Sequence, residues 1–142
     1  MVQPLSNINL CQRIDLKADS WTLLSGQTGT MVSFGGNGNL QKPVAGDFAV
    51  PVWTESNRDG SQGWSPDVSA TGNLTVYYGK LRFITDQFVA SPAVNQVLYT
   101  DTNGKFTTTA SGKNIVLAIC TKAPASVKYL SKSFTAIEVV LI

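Results

Sequence analysis

Hydrophobic residues in the last third of the chain are arranged in short runs that predict β-strands. Residues 96–101 form one such run, which is followed by a turn at Thr102-Asn103-Gly104 and by a threonine-rich run over residues 105–109. An Asn-Gly step between two β-prone runs predicts a β-hairpin, because a type I′ turn needs positive φ at both central residues and this dipeptide adopts it at low cost.

Two almost wholly apolar runs complete this pattern, at residues 114–120 and 137–142. A strand that is apolar on both faces has to be covered on both faces. We therefore expect either an earlier part of the chain or another subunit to lie against these two strands.

Residues 47–54 alternate between apolar and polar positions, which is typical of a strand with one buried face. The alternation places Phe48, Val50 and Val52 on the same face. Pro51 interrupts the run and has no N–H to donate, so it favours an edge strand or a β-bulge at this point.

Three further β-prone runs indicate the fold class. Residues 29–34 end at a glycine-rich segment, and residues 74–77 and 81–85 flank a bend at Tyr78-Gly79-Lys80. Short strands separated by Gly, Asn and Ser clusters predict an all-β fold. We expect a single-domain antiparallel sandwich or small barrel with long loops.

The N-terminal residues show no sustained periodicity. Their apolar side chains are too sparse for a self-sufficient element and are Leu5, Ile8, Leu10, Ile14 and Leu16. We therefore predict an extended N-terminal arm over residues 1–19, ordered by contact with a neighbour, and a β-domain over residues 20–142. A chain of this length is able to bury a core without disulfides or a metal.

The order of elements over residues 95–142 resembles a known family. A V-L-Y-x-D strand leads into a Thr/Asn-Gly turn, and a threonine-rich return strand is followed by an I-V-L-A-I strand and a terminal E-V-V-L-I strand. This order is similar to that of the small head-decoration proteins, or capsid cement proteins, of tailed bacteriophages. The earlier residues are compatible in composition but add no matching motif.

The resemblance implies a structural virion protein without enzymatic activity on the outer surface of a phage head. Its partner would be the major capsid protein, and it would stabilise the assembled head by binding across adjacent capsid subunits. We expect a homo-oligomer, with a trimer favoured over a dimer, and no direct contact with nucleic acid. The sequence has no signal-peptide pattern and no apolar run long enough for a membrane span, which predicts synthesis in the host cytoplasm without a membrane partner.

Charge is sparse and unevenly distributed. Charged residues make up only 14% of the chain and the net charge is +2. Residues 102–137 contain no Asp or Glu, yet they contain five lysines, which are Lys105, Lys113, Lys122, Lys128 and Lys132. Lysines commonly protect strand edges from pairing with other chains. The alternative is contact with an acidic capsid surface or with phosphate.

The residue types needed for most hydrolytic chemistry are missing. The chain has no histidine, which excludes Ser-His-Asp and Cys-His nucleophiles and histidine metal ligands. Asp101 opens a segment similar to a calcium loop, but Gly112 stands where the final acidic ligand would be. We therefore predict no catalytic, cofactor-binding or metal-binding residues and no cofactor. Cys120, which lies between Ile119 and Thr121 at the end of an apolar run, is predicted to be in the core.

Aromatic residues suggest an alternative function. Glu55, Asp59 and Asp67 share a polar loop with Trp53 and Trp64, which is the composition of a glycosidase cleft or a sugar-binding platform. Loops of this kind are usually only solvated, so a glycosidase is disfavoured. The alternative retained is a carbohydrate-binding or adhesin module whose stacking residues would be Trp53, Trp64, Tyr77 and Tyr78.

Overall fold

The computed structural model describes residues 2–5, 12–17, 29–53, 73–129 and 132–142, and these residues form eleven β-strands and no helix. The first six strands are β1 (Val2–Pro4), β2 (Gln12–Lys17), β3 (Met31–Phe34), β4 (Leu40–Gln41), β5 (Val50–Trp53) and β6 (Asn73–Tyr78). The other five are β7 (Arg82–Thr85), β8 (Val97–Thr100), β9 (Phe106–Thr107), β10 (Ala118–Tyr129) and β11 (Lys132–Leu141).

The strands form two sheets. The first sheet has the order β1-β7-β11-β10-β8-β9 and the second has the order β2-β6-β5-β3-β4. Every pairing between these named strands is antiparallel. The predicted all-β antiparallel fold is therefore confirmed.

The main core is built by the first sheet together with residues of the second. Met31 of β3 and Ala49, which precedes β5, are buried against side chains of the first sheet. The largest side chains that the first sheet and its adjoining residue Leu81 contribute to this cluster are fully buried, and they are Leu81, Phe83, Leu98, Phe106 and Ile137. Cys120 is fully buried in the same cluster, so its predicted place in the core is confirmed.

A second apolar cluster lies on the other face of the second sheet. Because successive strand residues face opposite sides, Val32 points away from the cluster that Met31 enters. Val32 packs with other buried aliphatic residues of this sheet, which are Leu40, Val50, Val52 and Val76. The second sheet therefore buries apolar side chains on both faces at β3.

Pro51 does not lie on an edge strand, so the first of the two alternatives predicted for it is wrong. β5 is flanked by β6 and β3. The N–H of Val52 donates to Thr30 O at 2.9 Å, so residue 52 bonds toward β3 and residue 51 faces β6. The register between β5 and β6 covers only Val52 and Trp53. Proline is tolerated because its missing N–H falls where that ladder ends.

The alternation predicted that Phe48 shares the buried face of Val50 and Val52, and this prediction is wrong. Phe48 precedes β5, has a relative exposure of 49%, and stacks on Phe34 with ring centroids 6.2 Å apart. The alternation of apolar and polar residues in the sequence therefore begins before the strand itself does, which starts at Val50.

The predicted hairpin at residues 96–109 is present as β8 and β9, but its turn is not type I′. Of the turn residues only Gly104 has positive φ, at 73°. The Asp101 carboxylate accepts hydrogen bonds from the N–H groups of Asn103 and Lys105, both at 2.8 Å. The side chain of Asp101 thus stabilises a longer turn in which one glycine is sufficient.

Two strands near the N-terminus, β1 and β2, pair within the chain. β1 pairs with β7 at one edge of the first sheet, and β2 pairs with β6 at one edge of the second. These strands therefore find hydrogen-bonding partners without a neighbouring molecule. The division of the chain into an arm over residues 1–19 and a domain over residues 20–142 stays a prediction.

Candidate interaction surface

The β10–β11 hairpin extends beyond the sheet in which it begins. β11 pairs with β7 only over Ile137–Val140, and β10 pairs with β8 only at Ala118 and Ile119. Beyond these contacts the two strands pair only with each other among the described residues. We call residues 122–129 and 132–136 the distal hairpin.

The transition to the distal hairpin is irregular. The register between β10 and β11 shifts between Cys120 and Lys122 and again between Lys122 and Ala125. Pro124 lies in the second of these intervals and has no N–H to donate. Bulges and prolines discourage strand addition at a sheet edge. This part of the β10 edge is therefore poorly suited to pairing with a strand of another molecule.

The outward face of the first sheet carries apolar side chains. Ile137 and Val139 point into the core, so Val140 and the residues in register with it face outward. Val140 is opposite Ile119, and Ile119 is opposite Val97, which is 41% exposed. These three residues form an apolar row across three adjacent strands.

The same face continues onto the distal hairpin. Val127 is directly opposite Phe134, and both side chains are half-buried. Between this pair and the first row lie Ile84, which is also half-buried, and a small depression lined in part by Ala125 and Ala136. We define the outer apolar face as Val97, Ile119, Val140, Ile84, Val127 and Phe134.

The opposite face of the distal hairpin is polar. Ser126 is opposite Thr135, and Lys128 is opposite Ser133. All four side chains are exposed. The distal hairpin is therefore amphipathic, with its apolar side continuous with the outer apolar face.

One ion pair crosses the outer apolar face. Arg82 of β7 binds Glu138 of β11 through Nη2 and through Nε, the latter at 2.9 Å from Oε1. The Thr121 hydroxyl donates to the same carboxylate oxygen at 3.1 Å. Glu138 is the only acidic residue of β10 and β11. Its charge is therefore already matched by Arg82.

The lysines of β10 are not matched in this way. Lys122 and Lys128 are exposed, and neither takes part in an ion pair within the described ranges. Lys113, in contrast, binds Asp47 with Nζ 3.1 Å from Oδ1. Positive charge on the distal hairpin is thus left uncompensated.

Cys120 marks the last core position before the hairpin leaves the sheet. Its thiol donates to Lys122 O at 3.2 Å across the first bulge. Burial raises the pKa of this thiol, and the nearby Glu138 carboxylate acts in the same direction. A buried thiol of raised pKa is a structural residue and not a nucleophile.

A separate apolar cleft of about 250 Å³ lies where the two sheets meet. Residues of both sheets line it, including Val50, Tyr78, Leu117 and Leu141. Phe48 and Ile142 are at the cleft and are 49% and 66% exposed. Tyr78 also packs against the second apolar cluster. None of the described residues that line the cleft has a charged side chain.

The residues proposed for sugar binding are not all placed by the structure. Trp53 lies on β5 and Tyr77 on the adjacent β6, whereas Trp64 lies outside the described residues. Tyr78 is half-buried and is a wall of the apolar cleft, so its ring is only partly available for stacking. Glu55, Asp59 and Asp67 also lie outside the described residues.

The distal hairpin was missed at the sequence level. The apolar run at residues 114–120 predicted a strand that would end at Cys120, but β10 starts at Ala118 and continues to Tyr129. The overlooked signal is the alternation of small or apolar residues with polar ones over residues 125–128 and 133–136. Pro124 and the lysines obscured it.

No protein-family model matches the chain, and no curated protein matches it. Within the described ranges no three His, Cys, Asp or Glu residues are grouped so that they could hold a metal ion. A search of the same residues for a helix long and apolar enough to cross a membrane finds none.

Proposed function

We propose that this protein is a structural virion protein that decorates a bacteriophage head and stabilises it. In this role it binds the outer surface of the assembled head across adjacent major capsid subunits, and it has no catalytic activity. The observation that carries the proposal is the outer apolar face together with its extension onto the distal hairpin. The sequence resemblance of residues 95–142 to head-decoration proteins gives the class of partner.

The chemistry of the outer apolar face favours a surface that a partner covers. An antiparallel sheet with one face toward solvent normally carries polar residues there. Here that face presents Val97, Ile119 and Val140 in one row, and Val127 with Phe134 in another. Covering these side chains would stabilise a complex by removing apolar surface from water.

The size of the face favours attachment by many copies. From Phe134 to Val140 it extends about 20 Å along β11, and from Val97 to Val140 about 10 Å across the strands. Such an area is smaller than the roughly 800 Å² that one partner contributes to a standard complex. Binding through one face would be weak, but copies joined as an oligomer would bind much more tightly through several such faces.

The test compares heads of the encoding phage with and without this protein. Heads that lack it should release DNA at a lower temperature, measured by the fluorescence of a DNA-binding dye during heating. Purified protein added to such heads should restore the release temperature once binding is saturated. Equal release temperatures with and without the protein would contradict the proposal.

The alternative is a carbohydrate-binding or adhesin module, for which Trp53 and Tyr77 lie on neighbouring strands. Binding of the purified protein to host polysaccharide, measured by calorimetry, would favour this function if the heads were unaffected by its absence. A Trp53→Ala variant should then lose polysaccharide binding while it keeps its fold.

A further inference from the structure

We infer that β11 pairs along its edge in the distal hairpin with the same edge of a second copy of this chain. The pairing is antiparallel and places Phe134 opposite Phe134 of the second copy. We call residues 133–135 of β11 the open edge. This inference goes beyond the proposed function, because it concerns contact between copies and not contact with a phage head.

The two edges of the distal hairpin differ in regularity. At both register shifts the extra residue is on β10, and Pro124 lies in the second of these intervals. β11 contains no proline and pairs without a shift over residues 132–136. Because bulges and prolines discourage strand addition, the hairpin is protected along its β10 edge and not along its β11 edge.

The backbone groups of the open edge point away from β10. The N–H of Leu141 donates to Leu81 O at 2.8 Å, which lies on the β7 side of β11. Successive residues of a strand direct their N–H and C=O groups to alternate sides. Ser133 and Thr135 therefore direct theirs to the β7 side as well, where a further strand would accept and donate hydrogen bonds.

The position beside the open edge is not filled by β7. That strand ends at Thr85, which is opposite Ile137. Within the part of the chain that the structure describes, residues 133–135 pair with β10 alone. The open edge thus continues the line of β7 and can receive a strand from another molecule.

The open edge is complementary to itself. In an antiparallel register centred on Phe134, Ser133 of each copy faces Thr135 of the other. Their backbone groups point to the shared side, so these residues form the hydrogen-bonded pairs. The two Phe134 residues then form the pair without hydrogen bonds, in which side chains approach most closely. Aromatic pairs and Ser/Thr pairs are both favourable across strands.

Charge does not oppose this pairing. The open edge contains no charged residue. Lys128 is opposite Ser133 within the hairpin, and Ser126 is opposite Thr135. The row of Lys128 would therefore continue in the second copy through Thr135 and Ser126, and no lysine would face a lysine. A different protein would have to supply these matches by its own sequence, whereas a second copy supplies them by symmetry.

The dimer would enlarge the outer apolar face. The two-fold axis of an antiparallel strand pair is perpendicular to the sheet, so the outer apolar faces of both copies would point to the same side. Val127 and Phe134 of both copies would form one row across four strands. The ladder is much shorter than the interface of a permanent dimer, so we expect a reversible dimer that depends on protein concentration.

The first experiment removes one backbone N–H from each edge of the distal hairpin. Thr135→Pro removes it from the open edge. Ser126→Pro, the matched control, removes it from the β10 edge, because Ser126 is opposite Thr135 and its backbone groups also point away from the partner strand. Sedimentation equilibrium over a range of concentrations should show dimerisation weakened at least roughly tenfold by Thr135→Pro and within about twofold of the wild type for Ser126→Pro.

The second experiment tests the register. Phe134→Glu and Phe134→Lys should each be monomeric alone, because like charges directly opposite each other destabilise a strand pair. An equimolar mixture of the two variants should form a dimer, since position 134 of one copy then faces the opposite charge on the other. All variants are first shown to melt cooperatively, so that loss of the dimer reports the edge and not the fold.

Four outcomes would overturn the inference. A wild type that is monomeric at every concentration would remove the dimer, and a trimer would exclude a two-fold pairing. Equal effects of the two proline variants would place the contact away from the open edge. A mixture of the two Phe134 variants that stays monomeric would exclude the register. None of these measurements uses phage heads, so the proposed function stands or falls separately.

Discussion

The two ends of the β10–β11 hairpin belong to the same pair of strands but meet different surroundings. At the proximal end, Cys120, Ile137 and Val139 are buried in the main core and both strands have further neighbours. At the distal end the strands pair only with each other in the described structure, and Ser126, Lys128, Ser133 and Thr135 are exposed. One continuous element therefore serves both as core and as a projecting surface.

This difference shows how a small β-protein can hold a projecting element in place. An isolated two-stranded hairpin is marginally stable in water. Here the proximal end is anchored by β7 on one side and β8 on the other, so the orientation of the distal hairpin follows from the sheet. Substitutions of the distal side chains should then alter that surface at little cost to the stability of the core.

Removing the proximal part of β11 should have the largest effect. A chain truncated after Thr135 loses the buried residues Ala136, Ile137, Val139 and Leu141. The three larger side chains alone contribute roughly 1.5–3 kcal/mol each. Because most domains are stable by only about 5–15 kcal/mol, the truncated chain should be unfolded by circular dichroism.

The matched control for this truncation removes only Ile142, which is 66% exposed. That chain should melt cooperatively close to the full-length temperature. If the chain ending at Thr135 also melted cooperatively near that temperature, the C-terminal part of β11 would not be needed for the fold.

Identical substitutions at the two ends should have different effects. Val139→Ala removes two methyl groups from a fully buried site and should lower the free energy of unfolding by about 2 kcal/mol. Val127→Ala makes the same change at a half-buried site and should cost under about 1 kcal/mol. Urea denaturation of both variants measures the difference. Equal losses would mean that the distal hairpin is packed like the core.

The smallest expected effect concerns pH and Cys120, at the boundary between the two ends. Burial raises the pKa of this thiol above its ordinary value of 9.0, so the folded chain holds the thiol proton to higher pH than the unfolded chain does. This contribution to stability is complete below the unfolded pKa and is lost as pH rises through the folded pKa.

The pH effect is measured by urea denaturation of the wild type and of Cys120→Ala on the alkaline side of pH 9. Because the other titrating groups are shared, the difference between the two curves reports the thiol. The free energy of unfolding should decrease more steeply with pH in the wild type. If the two free energies of unfolding changed with pH in parallel, the pKa of the thiol would be the same in the folded and unfolded states.

Much of the fold could be predicted from periodicity, but the element with the most distinctive surface could not. Strands such as β3, β6 and β7 have apolar or alternating runs that decide their conformation locally. Residues 122–129 include a proline, two lysines and a serine, and they are extended because β11 pairs with Lys122 and with residues 125–129. That pairing is a tertiary effect that no local pattern contains.

The turn and proline predictions were wrong for similar reasons. The backbone at Asn103 is determined by the Asp101 carboxylate, which accepts two N–H groups, so the dipeptide alone did not decide the turn type. The position of Pro51 is tolerated because of where one ladder ends, and this depends on the partner strand. The outer apolar face likewise requires the register of four strands, which the sequence does not give.

The placement of β1 and β2 at the edges of the two sheets has a consequence for synthesis. Both strands leave the ribosome before their partners, β7 and β6, which lie at residues 73–85. At ordinary rates of translation several seconds pass before those partners exist. Until then β1 and β2 cannot pair with β7 and β6. Pairing between strands so far apart in sequence slows folding, because the long intervening segment has to be closed before the pairing contributes.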